Sequence, residues 1–158
     1  MKRYGMAFVL LVLTSALSAP ALADEDPIRG CIDSRGYPVA WKVDIFLHVI
    51  AQAGKTPKDM PIITYNPDIF PFKKAQTRLF FYYHECGHHV LGHDVSGSIS
   101  LQQEKRADCW AVNTLFYNGT FTLADIAAIN RDLASLTVEE LHQIPGPFRN
   151  LDLNECFR

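Results

Sequence analysis

Apolar positions form one dense run from Ala7 to Leu17 and then recur in shorter stretches divided by Pro, Gly and Asn. Val39 to Ala53 is apolar-rich with Asp44 and His48 interspersed, and Gly54 follows as a C-terminal stop, which predicts a buried or half-buried helix. Pro57 to Pro61 breaks the chain. The β-branched and aromatic run Ile62-Ile63-Thr64-Tyr65, closed by Asn66-Pro67, predicts a strand. A long helix is expected from Phe72 or Lys73 to Leu91, ending at Gly92, followed by a Ser/Gly loop over Asp94 to Ser100. A second helix follows from Leu101 to Tyr117 and is stopped by Asn118-Gly119. Thr122 with Asp125, and Thr137 with Glu140, carry the Thr-x-x-acid spacing of a capping box. They open a helix near Leu123 to Leu133 and a short one near Val138 to His142, and from Pro145 the chain reads as irregular. With no repeat or linker, the pattern predicts one α+β domain, mainly helical, with a small sheet.

The first apolar run changes the picture of the N-terminus. Lys2 and Arg3 precede it, and Ala21-Leu22-Ala23 supplies a small-x-small cleavage site before Asp24-Glu25-Asp26. Residues 1–23 therefore read as a secretory signal peptide, too short and too interrupted at Pro20 for a span of about 20 residues. Cleavage after Ala23 leaves 135 of the 158 residues, 24–158, as one domain in the periplasm or secreted, with no membrane span. Taking Lys2 and Arg3 from the 15 basic residues leaves 13 against 17 acidic ones, a formal charge of −4. With no basic stripe, nucleic acid is not an expected partner. Cys31, Cys86, Cys109 and Cys156 all survive cleavage, and an even count in an exported chain suggests two disulfides. Of the three pairings open to them, the reading favours Cys31–Cys156, tying the two ends, and Cys86–Cys109, stapling the two long helices.

The chemistry concentrates on those helices. Each helical residue turns about 100°, so His84 and His88 lie nearly above one another and can reach one tetrahedral zinc. Glu85 sits one step round, placed to address a water on the metal rather than to bind it. The second helix offers Glu104 as a third protein ligand, with Asp108 one turn on, where it can fix a zinc-bound histidine through its ring N–H. One zinc per chain is expected, with Glu85 as general base for peptide-bond hydrolysis.

His84-Glu85-Cys86-Gly87-His88-His89-Val90-Leu91-Gly92-His93 and Glu104-Lys105-Arg106-Ala107-Asp108-Cys109-Trp110-Ala111 resemble the gluzincin clan of metallopeptidases. Within it the chain is similar to small neutral zinc metallopeptidases with an HExGHH helix and an E-x-x-A-D-C helix, over about residues 60 to 117. The resemblance implies a minimal zincin-like fold, with an active-site helix, a glutamate helix and a small edge sheet. It assigns His84, His88 and Glu104 to zinc, Glu85 to catalysis and Asp108 to support of a ligand. It also implies that an extended peptide or protein substrate lies along an edge strand, for which Ile62, Ile63, Thr64, Tyr65 and Asn66 are the candidates. Relatives carry a late His-Pro…Arg element. Pro145-Gly146-Pro147-Phe148-Arg149 fits its second half, making Arg149 a candidate for holding the site or the oxyanion, while His142 stands one position from the expected histidine.

Other residues rank lower. His89 lies about 100° from His88, exposed or packed on a neighbouring helix, and His93 reads as a partner of helix-end carbonyls. Tyr82, Tyr83 and Tyr117 read as core, and Cys86, about 200° from His84, as structural. A shallow cleft on so small a domain suits flexible peptides, a single protein substrate, or action only with an activating protein partner. The alternative reading is a non-catalytic zinc-binding adaptor on a peptidase fold, for which Glu85 has no use.

Overall fold

The computed structural model describes residues 28, 30–69 and 75–158; the expected signal peptide and the helix start at Phe72 or Lys73 lie outside them. The architecture is α+β and mainly helical. Strands β1 (Ala40–Val43), β2 (Ala51–Lys55) and β3 (Pro61–Tyr65) precede helices α1 (Ala75–Val90), α2 (Leu101–Tyr117), α3 (Leu123–Ala134) and α4 (Val138–Leu141), and a 3₁₀ turn covers Leu153–Phe157. The sheet order is β1-β3-β2, with β1 parallel and β2 antiparallel to the central β3.

The expected helix over Val39 to Ala53 is two strands. Burial alternates along β1, and along β2 up to Gly54, the period of a sheet rather than a helix. Between them the Asp44 side chain accepts from the Phe46 N–H and turns the chain. Asn66 Nδ2 then donates to the carbonyls of Ile45 and Leu47, groups that a helix would have used itself. β3 is the strand read from sequence, but it is central rather than an edge, and Asn66 lies beyond its end. The edge strand that meets α1 is β2, where the Ala53 N–H donates to Glu85 Oε2 at 2.5 Å.

α2 spans Leu101–Tyr117 as read, capped by Ser100 and Gln103, and Thr122/Asp125 and Thr137/Glu140 form the two expected capping boxes. The core packs β3 (Ile63, Tyr65) on α1 (Phe80, Phe81), with Leu115 of α2 and Ile126 and Ile129 of α3 closing it. At the contact of α1 with α2, a β-carbon on Gly87 would lie 3.0 Å from the Trp110 ring, so glycine lets the two helices approach closely.

Both disulfides form, with different partners from those expected: Cys31–Cys86 and Cys109–Cys156, at Cα separations of 5.9 and 5.0 Å. α1 and α2 face each other through His84, Gly87, Glu104 and Asp108. Cys86 lies on the opposite side of α1, toward the N-terminal segment, and Cys109 bonds instead to the 3₁₀ turn. The Cys109–Cys156 bond closes a sequence separation of 47 residues. Replacing both cysteines with alanine is expected to lower stability by about 2–4 kcal/mol in urea unfolding. A loss well under 1 kcal/mol (roughly fivefold in the folding constant) would show that this staple contributes little.

Candidate metal centre

α1 and α2 bring His84, His88 and Glu104 together. One donor atom from each lies within 4.8 Å of the others, and all three residues are buried, a group that can hold a metal ion. His84 Nε2 is 3.0 Å from His88 Nε2 and 3.1 Å from Glu104 Oε2, and His88 Nε2 is 3.7 Å from Glu104 Oε1. The inward Nε2 of His84 is set by its other nitrogen, which lies 2.8 Å from Asp108 Oδ1. Glu85 Oε1 is 3.9 Å from His84 Nε2, beside the cluster. A cleft of about 200 Å³ opens onto Glu85, His88 and Glu104 between Ala53 of β2, Ile99 and Pro147.

Arg149 belongs to this centre. Its Nε and Nη2 donate to Asp108 Oδ2 and Oδ1 at 2.7 and 2.9 Å, and its Nη1 pairs with Glu104 Oε2 at 2.9 Å. Nη1 also donates to the Pro145 carbonyl at 2.9 Å, so one buried guanidinium ties the 145–149 segment to both carboxylates. His142 is elsewhere, exposed at the C-terminal cap of α4 beside Val138 and Phe148. His89 is buried, and its Nε2 lies 3.1 Å from the Ile62 carbonyl, so it packs on the sheet rather than on a helix. Tyr82 is core and Tyr83 stacks on Trp110, whereas Tyr117 is exposed at the end of α2.

The electrostatics follow from burial and this company. Burial disfavours charge on His84, but the carboxylates of Asp108, Glu104 and Glu85 outweigh it and raise its pKa to about 9. Burial lifts Glu85 to about 7, only partly offset by His84 and the Ala53 N–H. His88 moves the other way, to about 2, through burial and the neighbouring His84 and His93. Asp108 overcomes its burial through His84 and Arg149 and falls to about 2. An ion taken up at His84 Nε2 must release the proton that His84 holds below about pH 9. Apparent metal affinity is therefore expected to rise roughly tenfold per pH unit up to that point and then flatten, read by competition with a chelator. A flat profile between about pH 7 and 9 would show that His84 does not compete for the ion.

Two features escaped the sequence reading. The Ala53 N–H holds Glu85, invisible while β2 read as helix. The His93 ring packs on His88 with its Nδ1 2.9 Å from His88 Nδ1; the Gly92-His93 pair at the helix end was the available signal. No family model matches the chain, and no curated protein and no solved structure matches it.

Proposed function

We propose that the chain is an exported, gluzincin-type zinc peptidase that hydrolyses peptide bonds with Glu85 as general base. The observation that carries this reading is the pairing of a buried His84–His88–Glu104 cluster with a second carboxylate, Glu85, in the same cleft. The donor set is the two-histidine, one-glutamate set of catalytic zinc sites. Its spacing suits them as well: metal–ligand bonds of about 2.0–2.1 Å put tetrahedral ligands roughly 3.3 Å apart, against 3.0 to 3.7 Å here. The charges also balance, since a divalent ion and Arg149 offset Glu104, Asp108 and ionised Glu85.

Zinc, when bound, lowers the pKa of a water and polarises the scissile carbonyl. His84, His88 and Glu104 would hold it. Glu85 takes the water's proton on a carboxylate oxygen and delivers it to the leaving amine. A pKa near neutrality suits a group that must both accept and return a proton. Asp108 and Arg149 orient His84 and Glu104. Ala53 of β2 orients Glu85, and the same edge offers backbone groups to an extended substrate. Export is supported by the two disulfides, and among the described residues no helix is long and apolar enough to cross a membrane.

The test is incubation of the purified, oxidised chain with an unstructured protein substrate. Cleavage that stops with a chelator and returns with zinc is expected. Zinc retained without cleavage would replace this reading with a zinc-binding adaptor.

A further inference from the structure

α1 does not simply stop after its motif; it is closed by a specific cap. Gly92 adopts φ +68, its N–H donates to the His89 carbonyl at 3.2 Å, and the His93 N–H reaches the His88 carbonyl at 2.9 Å. This pair of bonds is a Schellman motif, in which the residue after the left-handed position folds back over the residue five places earlier. Ordinarily two apolar side chains meet there. Here both positions are histidines, and their rings stand 5.1 Å apart at 66°, both residues buried.

The contact has a direction if His88 is a ligand. His88 Nε2 points at His84 and Glu104, so an ion needs the lone pair on that nitrogen, and the ring proton must sit on Nδ1. The group that meets His88 Nδ1 is His93 Nδ1, at 2.9 Å. We propose that His93 is the positioning residue of the metal centre: its Nδ1 accepts the His88 Nδ1–H, fixing the tautomer and orientation in which His88 Nε2 binds the ion. It does for His88 what Asp108 does for His84. The helix cap thus supplies the second support of the site, from a residue nine places beyond the first ligand. The proposal rests on His88 being a metal ligand, and the experiment separates the two claims.

His93→Leu keeps the apolar contact the cap normally makes and removes the acceptor; His93→Asn places an amide oxygen close to where Nδ1 lies. Zinc affinity is read by competition with a chromophoric chelator, and the fold by urea unfolding in excess chelator. His93→Leu is expected to bind zinc roughly 10- to 100-fold more weakly, with the unfolding midpoint close to wild type, and His93→Asn to recover most of the affinity. Wild-type affinity in His93→Leu, or equal losses in both variants, would overturn the role of His93. A wild-type protein that takes up no zinc would instead overturn the metal centre itself.

Discussion

Glu85→Gln is expected to lower kcat for peptide hydrolysis by about two to four orders of magnitude while leaving zinc in place. The amide keeps nearly the shape of the carboxylate, and its oxygen can still accept from the Ala53 N–H, so the packing around a residue that is 2% exposed survives. What it loses is the ability to take a proton from water. Glu85 is not in the ligand cluster, so metal content and affinity are expected to stay near wild type. Parallel loss of zinc and activity would make Glu85 a ligand rather than a base. Full activity would remove it from the mechanism.

Arg149→Leu is expected to destabilise the protein by about 3–5 kcal/mol, measured by urea unfolding. The guanidinium is 1% exposed and pairs with two carboxylates that are themselves buried, Asp108 and Glu104. Leucine fills part of the volume but leaves His84 as the one cation beside both carboxylates, and under-compensated buried charge is the expensive outcome. Arg149→Lys is expected to fall between, since a point charge can face Asp108 or Glu104 but cannot make the two-pronged contact with Asp108 and reach Glu104 at once. Zinc affinity should fall in the same order, because Asp108 holds His84 and Arg149 holds Asp108. A loss under about 1 kcal/mol for Arg149→Leu would show that water reaches these carboxylates.

Much of the site could be read from spacing alone, because helical periodicity is strict. Residues four apart share a face, so His84 with His88 and Glu104 with Asp108 could be placed without coordinates, and α2 was bounded by its own stop signals. Arg149 was legible only through the resemblance to a late His-Pro…Arg element, and His142, one position off that element and the weaker candidate, lies away from the site. The sheet was harder. Ala51 and Ala53 favour helix locally, and only the pairing of β2 with β3 makes them strand. Reading that stretch as helix left β3 as the sole strand and so took it for an edge, although β3 is central and β2 is an edge. Disulfide pairing depends on which way each helix face turns in three dimensions, which the spacing of Cys86 and Cys109 does not specify.

The central claim is that His84, His88 and Glu104 together hold one zinc ion. Its most direct test is metal content by mass spectrometry on the oxidised protein, alongside Glu104→Ala. About one zinc per chain in the wild type, lost or sharply reduced in the variant, is the predicted result; no zinc in the wild type, or zinc undiminished by Glu104→Ala, would contradict it.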